Sequence, residues 1–546
     1  MKSITTLLPM AMAIASSQAY CPPTGPVLPP PTLPGCPSNL TSGVQQALDK
    51  ISSATNATFS VQITSKNSTF FAHHHTGTTL ADLGTDEVDG DSIYRLASVT
   101  KVFTVLSLLL QEGVNFDLPA SHYVTELDGV PGYEDITLRM LASQLAGVPR
   151  DGYMFDLTSG LSPEMLKSLG LPSIEPPANV PKCDAVSQGE LPCTRSEFFD
   201  VLTGAGTTWQ PGQRAAYSNL AFIILGFAVE NITGQAYVDV VSDTITGPLG
   251  MTSTGFQVPD LSRLVVPTSG LDFATMNVYN YNATGGLYST PNDLSAFLRG
   301  LLNFDLLDEA RTSAWLKPQA FTSSPLNAVG APWEIYRPNS LLPDNRPLDV
   351  YTKSGGLPGY NGYIALIPEY EIGISINVAG AGDKDYNVVS AVFSAVLESL
   401  VPSLDALART QAAHKYAGTY TSGSGNTTSS LVLAVDDGPG LKVDKWTLLG
   451  NNVLDIVAML NRAQGAAAID VRAYPIGAED RWLLVTERVG SAGEKTGVYA
   501  GTCDGWFQLD QVRFAGLPTD EIDFVVENGK VVGAVSPGLR QQLTKV

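Results

Sequence analysis

Strand-forming sequence near the start of this chain is separated from the next by a long, largely helical stretch. Two strand-like runs lie within Thr58–His73, joined at Lys66-Asn67-Ser68, and three more follow at Asp349–Lys353, Tyr363–Ile367 and Ile372–Val378. All are rich in the β-branched and aromatic residues that suit a pleated surface. Between and around them stand helical signals. Thr41–Ala54 repeats Val44, Leu48 and Ile51 on one face, and Ser98 to about Glu112 is an apolar run closed by Gly113. Leu220–Glu230, Pro291–Leu302 and Val388–Leu400 read the same way. Helices enclosed by strands at both ends predict an α/β domain whose sheet is assembled from the two ends of the domain.

The remaining sequence is divided by its punctuation. Residues 150–212 are dense in Pro and Gly and predict a loop-rich insertion. Residues 406–415 are expected to link the α/β domain, 41–405, to a small all-β domain over 416–546. There, short apolar runs are broken by Gly, Asn-Gly and Asp-Gly turns. A length of 546 residues allows about two to four domains. With 44% hydrophobic and 16% charged residues the chain reads as globular. A formal charge of −21 repels nucleic acid and anionic membrane surfaces, so neither is an expected partner. Beyond the N-terminus no stretch reads as the roughly 18 apolar residues of a membrane span.

Residues 1–19 read as a secretory signal peptide: Lys2, an apolar run from Ile4 to Ala15, and small residues in Ser17-Gln18-Ala19. A Pro-rich leader, 20–40, follows. Glycosylation sequons at Asn39, Asn56, Asn67, Asn231, Asn282 and Asn426 agree with a secreted, extracellular glycoprotein. The five cysteines contain no C-x-x-C spacing, so zinc and thioredoxin-type chemistry lack support. Cys21–Cys36 and Cys183–Cys193 are sequence-local pairs expected to form disulfides, which leaves Cys503 over, buried or free.

The chemistry is concentrated in three short segments. In Ala97-Ser98-Val99-Thr100-Lys101, a helix beginning at Ser98 puts Lys101 one turn on, on the same face. A serine hydroxyl is a weak nucleophile and needs a neighbouring base. A lysine serves when burial lowers its pKa, and the apolar run from Val102 to Leu109 would supply that burial. The alternative is a helix cap beside a solvated cation. In Tyr217-Ser218-Asn219 a phenol close to an ammonium could ionise as a general base, and Asn219 could bond a substrate amide. Taken alone this segment reads more simply as a capping turn. In Lys353-Ser354-Gly355-Gly356 a cation could hold a substrate carboxylate and backbone N–H groups an oxyanion. An ordinary Gly-rich turn explains it as well.

Together, and in this order, the three segments resemble the signature of serine β-lactamases and penicillin-binding proteins: S-x-x-K, then Tyr-x-Asn, then Lys-Ser-Gly. Trp209-Gln210-Pro211-Gly212, Pro248-Leu249-Gly250-Met251, Gly285-Gly286-Leu287-Tyr288 and Gly355-Gly356-Leu357-Pro358-Gly359-Tyr360 are similar to segments of the class C β-lactamase and esterase branch. The resemblance spans roughly 41–405. It implies a β-lactamase/transpeptidase-like fold, an antiparallel sheet flanked by helices with a helical subdomain. By the same resemblance Ser98 is the acylated nucleophile, with Lys101 and Tyr217 sharing the proton transfers. Asn219, Lys353 and Ser354 would bind substrate, and the N–H groups of Ser98 and Gly356 would form the oxyanion hole. Where relatives carry Leu-x-x-His-x-Ser-Gly-Leu-Pro, this chain has Leu141 to Pro149 with Gln144 at the histidine position.

Lys495-Thr496-Gly497 matches the third motif by letters but lacks the Gly-x-Pro-Gly continuation, and reads as a turn. The five histidines stand in no triad or metal-ligand setting, and no metal or cofactor is expected. The combined expectation is a secreted eukaryotic, fungal-type serine acyl hydrolase acting on a small-molecule or peptide-like ester or amide. Acyl transfer in small-molecule biosynthesis, or non-catalytic binding on the same scaffold, are the alternatives.

Overall fold

The structure is a computed structural model that describes residues 20–33, 38–151, 157, 161–172, 193–380, 384–423, 425–462, 468–477, 480–489, 498, 502–503, 505–507 and 509–546. It divides into two compact units. One comprises Leu33–Pro338 and Leu348–Ser403; the other comprises Asn339–Pro347 and Leu404–Val546 with the leader as far as Thr32.

The first unit is built on an eight-stranded antiparallel sheet. Its strands are β1 (Thr58–Ser65), β2 (Thr69–His75), β3 (Ala320–Phe321), β4 (Asn327–Val329), β5 (Glu334–Tyr336), β6 (Val350–Leu357), β7 (Tyr360–Ile367) and β8 (Ile372–Ala379). The order β2-β1-β8-β7-β6-β5-β4-β3 joins the early hairpin to the late strands through β1 and β8, with Phe59 opposite Val378 and Ile63 opposite Ile374. A sheet made from both ends of the domain is the arrangement that the sequence predicts.

Helices cover both faces of that sheet. They include α1 (Ser38–Ala54), α2 (Thr100–Leu109), α3 (Leu220–Thr233) and α4 (Pro291–Leu302). In β1 the apolar residues Phe59, Val61 and Ile63 alternate with Ser60, Gln62 and Thr64, a pattern that ordinarily leaves the polar face wet. Here every residue of β1 is buried: α4 lies on the polar face and partners Gln62 and Thr64, while Ser60 bonds the Tyr94 hydroxyl at 2.9 Å. Gln62 donates to Asn292 Oδ1 at 2.8 Å and accepts from Ser295 Oγ at 2.7 Å, while Arg299 donates to Thr64 Oγ1 at 3.1 Å. Helices α2 and α3 share the main apolar core with Leu138, Leu141 and Phe297, and form the helical part of the unit.

The second unit is a closed antiparallel barrel. Its strands are β9 (Gly418–Ser422), β10 (Ser429–Ala434), β11 (Leu441–Leu448), β12 (Ala468–Pro475), β13 (Arg481–Val489), β14 (Glu521–Glu527), β15 (Lys530–Ser536) and β16 (Gln541–Lys545). Because β10 pairs with both β9 and β11, the sheet returns on itself and keeps no free edge along the ring.

Several expectations are corrected by the structure. Residues 406–415, expected as a linker, are helical: they lie in α5 (Lys384–Tyr416). Leu404, Ala408, Ala412 and Tyr416 repeat at helical spacing and are all buried, so the segment is held by packing. From Val388 to Tyr416 this helix is also long and apolar enough to cross a membrane by length and composition, where the sequence reading found no such stretch. Half of its apolar window is buried in protein, as in a core helix. Cys21 is bonded to Cys503, not to Cys36. The reason is that the leader belongs to the barrel unit: Val27 and Leu28 sit in the barrel core, and the Tyr20 ring stacks 4.5 Å from the Arg472 guanidinium. Cys193 is disulfide-bonded. The signal peptide, Cys36, Cys183 and Lys495-Thr496-Gly497 lie outside the described residues. In the 150–212 segment the described part includes helices Pro163–Ser168 and Arg195–Ala205, the second opened by a Thr194–Glu197 capping box.

Candidate active site

Ser98 does not begin the α-helix. It occupies a short 3-10 turn, Ala97–Val99, and α2 starts at Thr100 and ends at Leu109, short of the expected Glu112. Ala97 has φ of 49°, a left-handed backbone that a non-glycine residue adopts only when its surroundings enforce it. The enforcement is visible. Thr100 Oγ1 donates to Ala97 O at 2.7 Å, and Leu96 N donates to Leu287 O at 2.9 Å. Behind the turn runs β6, where a Cβ on Gly355 would stand 2.2 Å from Leu96 O and 2.8 Å from Ser98 N. Only glycine permits that approach, so Gly355 fixes the Ser98 backbone against the sheet.

Lys101 lies one turn beyond Ser98 and is fully buried. Its ammonium donates to Ser98 Oγ at 3.0 Å, Asn219 Oδ1 at 2.8 Å and Thr284 O at 2.9 Å, an acceptor for each of its protons. Tyr217, at the entry to α3, donates its phenol proton to Ser98 Oγ at 2.8 Å. One hydroxyl thus receives two donors, an ammonium and a phenol. Burial, reinforced by the Lys353 charge, pulls Lys101 down to about 8. Burial alone would raise the Tyr217 phenol, but the Lys101 and Lys353 charges outweigh it and lower the group to about 8.

The other predicted residues meet at the same place with different partners. Asn219 is engaged at both ends: its oxygen holds Lys101, and its amide nitrogen donates to Asp151. Asp151 also forms a 3.0 Å ion pair with Arg150, whose guanidinium is 4.9 Å from the Tyr217 ring. Lys353 is buried, with its ammonium 2.6 Å from Glu334 Oε1 and 5.4 Å from the Tyr217 ring. Burial would lower its pKa; the Glu334 carboxylate more than offsets this and holds it above the usual lysine value. Ser354 donates to the same carboxylate through its hydroxyl, at 3.1 Å, and its backbone N–H, at 2.9 Å. Sequence reasoning missed Glu334, Asp151, Arg150 and Thr284. Each lies outside the three motifs, and no local spacing ties it to them.

Ser98 opens into a cleft of about 590 Å³. Its apolar wall includes Phe273, Met276, Val278 and Leu357, while Tyr217, Glu334 and Gly356 face the same space. Arg95, buried just before the Ser98 turn, donates to the carbonyls of Phe273 and Met276 and so ties that wall to the turn. Ser98 Oγ therefore has two titratable groups, Lys101 and Tyr217, behind it and a largely apolar space in front. That arrangement can carry out acyl transfer to serine.

A family model described as "Beta-lactamase" matches residues 57–393. A second, "Beta-lactamase-like-like, C-terminal domain", matches 408–546. The "Beta-lactamase-like protein" of Arthroderma benhamiae is 30% identical, with 98% of this chain and 97% of that protein covered. The D-alanyl-D-alanine-carboxypeptidase/endopeptidase AmpH of Escherichia coli is 30% identical over 53% of this chain and 71% of its own length. The solved β-lactamase/D-alanine carboxypeptidase of Yersinia pestis shares the fold, with a TM-score of 0.50 and 23% identity over 66% of this chain and 98% of that one. The chain belongs to the β-lactamase family of serine hydrolases.

Proposed function

We propose that the protein is a secreted acyl hydrolase that opens an ester or amide through an acyl-Ser98 intermediate. The observation that carries this reading is the double contact at Ser98 Oγ, 3.0 Å from Lys101 Nζ and 2.8 Å from the Tyr217 hydroxyl. With one proton removed from the Lys101–Tyr217 pair, Ser98 Oγ gives its proton to the pair and attacks the substrate carbonyl carbon. The oxyanion so formed is held by the N–H groups of Ser98 and Gly356. Collapse breaks the bond to the leaving alcohol or amine, which takes the proton back from the pair. Water then repeats the sequence in place of the leaving group, releasing the acid and restoring Ser98. The Escherichia coli relative is named for cleavage of D-alanyl-D-alanine, an amide, and the relative in Phoma sp. is named a probable hydrolase. Both names support hydrolysis. Secretion is supported by the leader sequence and the Cys21–Cys503 disulfide.

The test is turnover of a panel of p-nitrophenyl esters and a chromogenic cephalosporin, measured beside Ser98→Ala. Ser98-dependent turnover and a fluorophosphonate adduct mapped to Ser98 are expected. Turnover that survives Ser98→Ala, or the absence of both turnover and adduct, overturns the reading.

A further inference from the structure

The side chain of Asn219 can be seated in two ways, because a half-turn of an amide exchanges its oxygen and its nitrogen. Only one seating serves Lys101. With the oxygen inward, Asn219 accepts from the ammonium at 2.8 Å; with the nitrogen inward, its N–H groups would meet those of the ammonium. The selection is made on the far side of the amide. There Asn219 Nδ2 donates to Asp151 Oδ1, and a carboxylate can only accept, so the nitrogen faces Asp151 and the oxygen faces Lys101.

Asp151 is itself held in place. It is 4% exposed, and its Oδ2 lies 3.0 Å from Arg150 Nε in an ion pair. The backbone around it clamps the same turn. Arg150 O accepts from Asn219 N at 2.8 Å, Pro149 O from Ser218 Oγ at 2.7 Å, and Gln144 Oε1 from Ser218 N at 2.7 Å. Charge acts in the same direction as geometry. Burial and the Lys353 charge lower Lys101, whereas Tyr217 and the Asp151 carboxylate oppose the fall. Of the outlying charges, Glu334 is paired with Lys353 and Arg150 with Asp151.

Resting on the acyl-Ser98 reading, we propose that Asp151 is a positioning residue for proton transfer at Ser98, acting through Asn219, whose amide it seats with the oxygen on Lys101. It belongs to none of the three motifs, and it serves the base without contacting Ser98.

The test on the full chain follows labelling of Ser98 by a fluorophosphonate as a function of pH, beside kcat and KM on p-nitrophenyl esters. Wild type is compared with Asp151→Asn and Asp151→Ala. Both substitutions remove a charge that holds the Lys101 proton, so the acid limb should move to lower pH in both. A purely structural role would leave that limb where it is. Asp151→Ala also takes the acceptor from Asn219 Nδ2 and should lower the labelling rate at the optimum about tenfold or more. Asp151→Asn keeps an amide oxygen that can accept, and should lose less. KM should stay as it is in both. In an Asn219→Ala background, Asp151→Ala should lower the optimal rate no further, since the route is already cut. Circular dichroism checks the fold, and either Asp151 variant decides the limb should the other fail to fold. An unmoved acid limb, or the same rate loss with and without Asn219, overturns the inference. A raised KM with an unmoved limb overturns it as well, by making Asp151 a substrate contact. A wild type that neither turns over esters nor takes an adduct on Ser98 overturns the acyl-Ser98 reading itself, and the role of Asp151 with it.

Discussion

Lys353 holds its ammonium 2.6 Å from the carboxylate of Glu334, a residue that no motif announces. The cation supplied by the third motif is therefore already paired before any substrate arrives. Removing one partner of a fully buried pair costs about 3–5 kcal/mol. Glu334 is 30% exposed, so Glu334→Gln is expected to cost about 2 kcal/mol, read as a lowered urea midpoint. A second effect separates the electrostatic role from a packing role. Glu334 keeps Lys353 protonated, and the Lys353 charge helps to lower Tyr217. The variant should therefore shift the alkaline limb of kcat/KM to higher pH, and an unmoved limb would argue against this coupling.

Lys101 and Tyr217 are both drawn to about 8, and they interact, so their protons leave in two steps that belong to the pair. Below the first step Lys101 is charged and Tyr217 neutral, and no base faces Ser98. Loss of one proton creates the base, and loss of the second removes the acid needed by the leaving group. A bell-shaped kcat/KM profile centred at about pH 8 is expected. Tyr217→Phe should flatten the alkaline limb and lower kcat by roughly 10²–10⁴, the usual contribution of a general acid–base group. A monotonic wild-type profile, or a variant with unchanged kcat, would remove Tyr217 from the proposed proton path.

Gly355 supports the site through backbone contact alone. A methyl group there meets Leu96 O at 2.2 Å and cannot be accommodated by rotating a side chain. Gly355→Ala should move the Ser98 turn off the sheet. The expected cost is about 1–3 kcal/mol in stability. An activity loss of roughly a hundredfold should accompany it, because a displacement of about 1 Å at the nucleophile carries that penalty. Comparing urea midpoints with kcat/KM against p-nitrophenyl esters checks both parts. A fully active variant would mean that the turn adapts.

Much of the site was legible because its information is local. Ser98 and Lys101 are one turn apart, Tyr217 and Asn219 open one helix, and Lys353 and Gly355 share one strand, so short patterns carry their geometry. The partners were not legible because pairing across the fold creates them. Glu334 reaches Ser354 only because β5 lies beside β6, and Asp151 reaches Asn219 across a separation of 68 residues. The same holds for the fold. The β-branched and aromatic residues of β1 marked a strand but not that α4 would cover its polar face. Residues 406–415 read as a linker because half of a helical stripe, taken without its partners, looks merely mixed.

The Cys21–Cys503 bond is the clearest case of a contact invisible to spacing, since 482 residues separate its ends. It closes the leader onto the barrel, where Cys21 N also donates to Glu487 Oε1 at 3.1 Å and Val27 and Leu28 enter the core. A cross-link restricts the unfolded chain, and losing one across a long loop costs about 2–4 kcal/mol. In Cys21→Ser/Cys503→Ser that loss should appear in the barrel itself. Hydrogen exchange in β12 and β13 should lose roughly 30- to 900-fold of its protection, the same free energy expressed as an opening equilibrium. Strands β1 and β8 serve as the internal control, because the cross-link lies outside their unit and their protection should stay as it was. Equal losses in both sheets would show a global effect of the substitutions, and no loss in β12 and β13 would show that packing of the leader holds it in place without the bond.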